Sequence, residues 1–102
     1  MYRISYYVPE DHLEVTKSAL FEAGAGRIGL YEHCCWQTLG VGQFRPLSGS
    51  QPAIGELGAL TTLPEYKVEL VCEEGCLTAA IQALIAAHPY EEPAYEVYRV
   101  TP

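Results

Sequence analysis

Hydrophobic and polar residues alternate in several segments of the chain, as they do in β-strands that bury one face. In residues 2–8, Tyr2, Ile4, Tyr6 and Val8 share one side, and smaller or polar residues share the other. The same alternation predicts strands over residues 66–72 and 94–100. A β-prone stretch that contains Tyr31, Trp36 and Thr38 predicts a further strand over residues 28–39.

Two segments between these strands instead carry apolar residues three and four positions apart, which is typical of a helix with one buried face. They predict helices over residues 11–24 and 76–87. The first helix runs into Gly24-Ala25-Gly26, a common C-terminal stop signal. The second is expected to end at His88, because Pro89 disfavours the helical conformation of the residue before it.

The order of elements is therefore strand, helix, strand, repeated twice. This order predicts an α+β fold, the ferredoxin-like split βαβ sandwich, formed as a single domain by residues 1–102. A long connection rich in glycine and proline, residues 40–58, joins the second and third strands. Two helices cover only one face of such a sheet, so we expect a second subunit to cover part of the other face.

Composition narrows the range of partners. Among 102 residues, 13 are acidic and 6 basic, which gives a net charge of −7. Nucleic-acid binding depends on contacts between basic residues and phosphate, so an acidic chain without a basic cluster is a poor candidate for it. No apolar run approaches the roughly 18 residues of a membrane span, and the N-terminus does not resemble a signal peptide. We therefore expect a cytoplasmic protein that binds neither nucleic acid nor membrane.

The segment from His88 to Tyr98 contains the main candidate site. His88, Glu91 and Glu92 lie at a corner between a helix and a strand that two prolines make rigid, with Tyr90 in the adjoining ligand cleft. Imidazole and carboxylate groups suit a divalent metal ion, so one hypothesis is a metal or ligand site. The alternative is a structural corner in which His88 caps the helix and the carboxylates are solvated.

His33 and Cys34 form a second candidate metal-binding pair. A structural zinc ion needs four ligands, so another subunit or His88 would have to complete this site. In the alternative interpretation Cys34 is a small core residue and His33 is exposed. Gly40-Val41-Gly42 could suggest a phosphate-binding loop, but no helix follows it, which argues against that function. No catalytic triad is evident, and an enzyme is the less favoured interpretation.

Four motifs, GAGRIGLYEHC, GVGQFRP, IGELG and HPYEEPAYEVY, occur in this order along the chain. Together they resemble the small domain of the Nif-three-like proteins, a family with a dinuclear metal centre. That domain is inserted in many members and free-standing in some bacteria. The resemblance implies a CutA/PII-like fold and a homo-oligomer, with a trimer favoured. The metal centre of the large members lies in flanking domains, and nothing in this chain corresponds to them.

These observations predict a small cytoplasmic regulatory module that binds a ligand or a divalent metal ion, with no catalytic activity of its own. One alternative is a purely structural domain for oligomerisation or partner contacts. A second is a hydrolase whose site is shared between subunits. The sequence leaves the choice among them open.

Overall fold

The computed structural model describes residues 1–101, which form four strands and two helices. In chain order these elements are β1 (Tyr2–Pro9), a short 3₁₀ turn (Glu10–His12), α1 (Leu13–Glu22), β2 (Trp36–Phe44), β3 (Thr61–Cys72), α2 (Glu74–Ala87) and β4 (Tyr95–Arg99). The predicted order of strands and helices is confirmed.

The strands form one antiparallel sheet in the order β2-β3-β1-β4. β1 and β3 are therefore the central strands, and β2 and β4 are the edges. This is the predicted ferredoxin-like arrangement, in which each helix crosses over between two strands of the sheet. Within residues 1–101 no helix is long and apolar enough to cross a membrane.

The helices pack against one face of the sheet, here called the covered face. Pairing in register places Ile4 beside Leu70 and Tyr6 beside Val68 on this face. The helices contribute the fully buried Leu20 and Leu84 to the same core. Each buried side chain of this size contributes about 1.5–3 kcal/mol to folding through the hydrophobic effect. The alternating pattern of the strands thus places their apolar side chains under the helices.

The prediction of a strand over residues 28–39 is wrong for residues 28–35, because β2 begins only at Trp36. Residues 28–31 instead form a tight turn in which Ile28 and Tyr31 exchange two backbone hydrogen bonds of 2.9 Å. Gly29 and His33 have positive φ angles of 56° and 58°, which an extended strand cannot accommodate. The composition of this stretch predicted a strand, but Gly29, with its positive φ angle, allows the chain to turn instead.

β2 and β3 extend beyond the residues predicted for them. β2 continues through Gly40 and Gly42 to Phe44, and β3 begins at Thr61 rather than at residue 66. β1 pairs with β3 only as far as Glu65, so residues 61–64 of β3 pair with β2 alone. The result is a β2–β3 hairpin that projects past the end of β1. The connection between them, predicted over residues 40–58, instead comprises residues 45–60.

Candidate functional site

A cavity of about 810 Å³ lies on the face of the sheet that the helices leave uncovered, here called the open face. Its floor is the open face of β2 and β3, and its walls are the connection after β2 and the corner after α2. We call it the open-face cavity. Small-molecule sites usually have volumes of roughly 300–1,000 Å³, so the cavity is large enough for an organic ligand.

Two glycines of β2, Gly40 and Gly42, line the floor of the cavity, so no side chain projects into it at these positions. Gly40 and Gly42 lie on the same side of the strand, opposite Glu65 and Leu63 of β3. A Cβ atom added at Gly42 would collide with the carboxylate of Glu65, whereas one added at Gly40 would meet only the backbone oxygen of Glu65, at 3.9 Å. The Glu65 side chain therefore occupies the space that the missing side chain of Gly42 provides.

Tyr90 connects the corner to this carboxylate. Its hydroxyl donates a 2.7 Å hydrogen bond to Oε2 of Glu65, which is distant in sequence. Burial, and then the hydrogen bond to Glu65, raises the pKa of Tyr90 well above its ordinary value. A tyrosine hydroxyl is protonated at neutral pH in any case, and the raised pKa extends the range of pH over which Tyr90 donates this bond. The ring of Tyr90 lies 6.0 Å from that of Phe44, and Tyr7 adds a third aromatic side chain to the cavity.

The charged side chains around the cavity are predominantly acidic. Glu65, Glu69, Glu91 and Glu92 line it together with one cation, Lys67. Lys67 Nζ lies 3.8 Å from Oε1 of Glu69, so this cation is already close to a carboxylate. Among residues 1–101, no ion pair involves Glu65, Glu91 or Glu92. The cavity therefore combines aromatic walls with an excess of negative charge.

His88 lies beside the cavity but not in its lining. The helix ends at Ala87, and His88 is extended with ψ 139°, as the following proline predicts. The ring is buried, and both of its nitrogens are engaged. Nε2 lies 2.6 Å from the carbonyl oxygen of Tyr7, and Nδ1 accepts a 3.1 Å hydrogen bond from the backbone N–H of Tyr90. The ring thus fastens the corner to β1.

This geometry requires one form of the imidazole. Because Nδ1 accepts a hydrogen bond and Nε2 faces a carbonyl, the neutral ring with its proton on Nε2 satisfies both contacts. Burial lowers the pKa of His88 below its ordinary value, although the hydrogen bond to Tyr7 and the charge of Glu65 oppose the shift. The side chain can bind a metal ion only if one of these bonds is broken.

Glu91 and Glu92 are exposed at the rim of the cavity. Oε1 of Glu91 accepts a 3.3 Å hydrogen bond from the backbone N–H of Gln51, which joins the corner to the connection between β2 and β3. The connection and the corner therefore enclose the cavity from two sides.

Ser5, also on the open face, has a buried hydroxyl without a hydrogen-bond partner among the described residues.

His33 and Cys34 lie at the other end of the sheet. The ring of His33 stacks on Phe21 with centroids 4.7 Å apart, and the backbone of Cys34 bonds to Gly26, which in turn bonds to Val71. Val71 pairs with Arg3 near the start of β1, while His88 contacts Tyr7 near its end. Four residues of strand separate these points by about 13 Å.

The structure thus places the predicted metal ligands in two separate groups. In the part of the chain that the structure describes, no three His, Cys, Asp or Glu side chains are close enough to hold a metal ion. A metal site would need ligands from a second copy of the chain, as the sequence had already suggested for His33 and Cys34. The metal site stays a prediction.

Glu65, Gly42 and Phe44 are important in the cavity. The sequence did not indicate Glu65 or Phe44 as site residues, and it suggested Gly42 only as part of a phosphate-binding loop that the absence of a following helix argued against. Glu65 immediately precedes the segment predicted as the third strand, and nothing local connects it with Tyr90. The β2–β3 register places Gly40 opposite Glu65 and Gly42 opposite Leu63, so the contact between Gly42 and the carboxylate depends on both the register and the direction of the Glu65 side chain. The sequence therefore lacked the information that would have revealed these residues, namely the full extents of β2 and β3 and their pairing.

Comparison with known proteins identifies relatives over nearly the whole chain, although no family model matches it. The chain is 45% identical over 96 residues to a protein of Mycobacterium leprae named GTP cyclohydrolase 1 type 2 homolog, covering 94% of the chain and 25% of that protein. It is 44% identical over 98 residues to the Bacillus subtilis protein of the same name, covering 96% of the chain and 26% of that protein. The chain thus spans about a quarter of the length of these relatives.

Solved structures give the same result. A Bacillus cereus protein described as related to NIF3 matches 99% of the chain, with 26% of its own length, at a TM-score of 0.84 and 36% identity. CutA from Xylella fastidiosa matches 99% of the chain, with 84% of its own length, at a TM-score of 0.70 and 22% identity. The PII-like CutA of Nostoc matches 98% of the chain, with 81% of its own length, at 0.68 and 15% identity. The CutA similarities show the fold, and the B. cereus similarity confirms the resemblance in sequence.

Proposed function

We propose that this chain, a homologue of one segment of the Nif-three-like proteins, is a small cytoplasmic ligand-binding module without catalytic activity of its own. The open-face cavity is the observation that supports this function most directly. It has the volume of an organic-ligand site, aromatic walls, and a Tyr90–Glu65 hydrogen bond in its interior. The lining also contains Thr38, Ser50 and Lys67, but the hydroxyl of Ser50 donates to the carbonyl of Leu47 and Lys67 lies beside Glu69. Within residues 1–101, the Tyr90 hydroxyl is the one hydroxyl of this lining that is bonded to a carboxylate. Binding therefore fits this arrangement better than turnover.

The edge strand β2 supports association between copies of the chain. Trp36, Leu39 and Val41 are 69%, 60% and 79% exposed, and β2 has a strand neighbour on one side only. An exposed edge with apolar side chains is a ready site for pairing with another chain. We propose a symmetric homo-oligomer, and the resemblance favours a trimer. A purely structural assembly module is the second candidate function, and this same strand is what favours it.

The predicted metal ion is the least supported part of this function. His88 uses both ring nitrogens in backbone contacts, and no group of three metal-binding side chains occurs within residues 1–101 of one copy. The residues of a single chain therefore do not fit a metal site. A divalent metal ion enters the proposal only through a site shared between two copies, for which the exposed His33 and the partly buried Cys34 are the candidates.

The name of the curated relatives does not transfer to this chain. GTP cyclohydrolase is what those proteins are named for, and the chain corresponds to about a quarter of their length. A hydrolase with a site shared between subunits would instead have to show turnover that depends on the oligomer.

Native mass spectrometry of the untagged chain, purified without chelator, tests this function. It reports subunit number, retained small molecules and retained metal ions in one spectrum. We expect an oligomer that retains a small molecule or accepts one on addition. An oligomer with an empty cavity that no added compound occupies would contradict the ligand-binding function and favour the assembly module.

Val41→Lys tests the role of β2 in assembly. Val41 is on the exposed edge strand, and a lysine there places charge where a second chain would pack. We expect the oligomer to dissociate at least about tenfold more readily, a change of roughly 1.4 kcal/mol. Size-exclusion chromatography with light scattering measures this change. The control is Leu57→Lys, an equally large change in the exposed connection, and equal dissociation of both variants would refute a specific role for β2.

A further inference from the structure

The open-face cavity contains three aromatic side chains and four carboxylates, with one lysine. We propose that its ligand is an organic cation with a flat apolar body, such as an aromatic amine. This inference rests on the proposed ligand-binding function and adds the chemical class of the ligand. The argument for it combines the charge around the cavity, the aromatic walls and the position of one carboxylate.

The charged side chains around the cavity favour a ligand with a positive charge. Lys67 lies close to Glu69, so these two charges largely cancel. Among residues 1–101, Glu65, Glu91 and Glu92 form no ion pair. An anionic ligand would be repelled by these carboxylates, whereas a cation would be attracted to them. Since the whole chain carries a net charge of −7, its overall field attracts cations to the cavity too.

The aromatic walls favour the same class of ligand independently of the carboxylates. Phe44 and Tyr90 are tilted 54° to each other with their centroids 6.0 Å apart, and Tyr7 lies on the β1 side. The face of an aromatic ring carries partial negative charge and attracts ammonium groups. The prolines and alanine of the surrounding connection provide apolar surface for the body of the ligand. A small inorganic cation would gain nothing from that surface.

Glu65 is the carboxylate best placed to bind the ammonium group. Its Oε2 is fixed by the hydroxyl of Tyr90 at 2.7 Å, and the missing side chain at Gly42 gives the carboxylate its place on the floor. A carboxylate held by a neutral donor keeps its negative charge and acceptor capacity for a cationic ligand. Glu91 and Glu92, at the exposed rim, would attract the ligand from a distance rather than bind it closely.

Isothermal titration calorimetry with three probes that share one ring system tests the inference. The probes are tryptamine, which is cationic, tryptophol, which is neutral, and indole-3-acetate, which is anionic. We expect tryptamine to bind about tenfold more tightly than tryptophol, and indole-3-acetate to bind most weakly. Glu65→Gln should remove most of the advantage of tryptamine. Glu56→Gln, which removes a charge from the connection outside the cavity, should leave that advantage unchanged.

A second variant keeps the test decisive if Glu65→Gln does not fold. Lys67→Gln removes the cation beside Glu69 and should increase the preference for tryptamine. Equal affinity for tryptamine and tryptophol, or a preference for indole-3-acetate, would overturn the inference while the cavity remained a ligand site. Failure of all three probes to bind would also overturn the inference, and the native mass spectra would then decide whether the cavity binds any small molecule.

Discussion

The two faces of the sheet are made by the same strands yet have opposite chemistry. On the covered face, Ile4, Tyr6 and Val68 are fully buried beneath the helices. On the open face, the residues that alternate with them include Tyr7, Lys67 and Glu69, which line a cavity. Because successive strand residues point to opposite faces, a single sequence pattern specifies both. The covered face determines whether the chain folds, and the open face is available for function.

The first prediction concerns the covered face and carries the largest expected effect. Leu84 is fully buried between α2 and the sheet, whereas the adjacent Ile85 is 47% exposed. Leu84→Ala should lower the free energy of unfolding by about 2–5 kcal/mol, because it leaves a cavity in the core. Ile85→Ala, the matched control, should cost about 1 kcal/mol or less. Urea unfolding at one fixed protein concentration measures both, and comparable losses would contradict the assigned orientation of α2.

The second prediction concerns the corner that joins the two faces. His88→Gln disturbs the contacts to Tyr7 and Tyr90 and should destabilise the chain by about 1–3 kcal/mol. Since the folded state lowers the pKa of His88 below its ordinary value of 6.5, the neutral ring stabilises folding. That stabilisation is complete above the unfolded pKa and is lost as the pH falls through the lower folded pKa.

Urea unfolding between about pH 7.5 and pH 5.5 checks this dependence. The stability of the unmodified chain should decrease as the pH falls, and His88→Gln should remove most of that decrease. Glu65 and His12 are the charged or titratable groups that influence His88 most strongly within the fold. His33→Gln, at the opposite end of β1, serves as the control and should keep the slope. An unchanged slope in His88→Gln would show that another group is responsible.

The third prediction concerns the floor of the cavity, and its expected effect on stability is the smallest. Gly42→Ala would displace the Glu65 carboxylate, while Gly40→Ala adds the same methyl group to the same floor without that collision. We expect Gly42→Ala to weaken tryptamine binding about tenfold, and to change the free energy of unfolding by about 1 kcal/mol or less. Calorimetry compares the two variants. Equal loss of binding in both would mean that volume, rather than the position of Glu65, matters.

The covered face could be predicted well from sequence because its signal is local. The alternation of Ile4 and Tyr6 indicates the buried side of β1. Apolar spacing predicts a buried face of α2 made by Leu77, Ala80, Ile81, Leu84 and Ile85. Ala80 and Leu84 are buried as predicted, whereas Ile85, at the edge of that face, is 47% exposed. Pro89 likewise marks the end of α2 correctly. The homology to Nif-three-like proteins and the ferredoxin-like fold followed from motifs and element order, and the comparisons confirm both.

The open-face cavity could be predicted only in part. Tyr90, Glu91 and Glu92 were expected at a ligand site, and all three line the cavity. The role of Glu65 depends on a contact between residues 25 positions apart, and that of Gly42 on the register of β2 with β3. Such contacts leave no periodic trace in the sequence. His33 and Cys34 were grouped with the corner by chemical type, and the structure places them at the other end of β1.

Chemical-shift mapping by nuclear magnetic resonance tests the central claim, that the open face is the binding face, most directly. Tryptamine would be titrated into isotopically labelled chain and the backbone amide shifts assigned. We predict that the largest changes fall on residues lining the open-face cavity, among them Gly42, Glu65 and Tyr90, while those of α1 change little. Changes concentrated on the helices or around His33, or no changes at saturating probe, would contradict the claim.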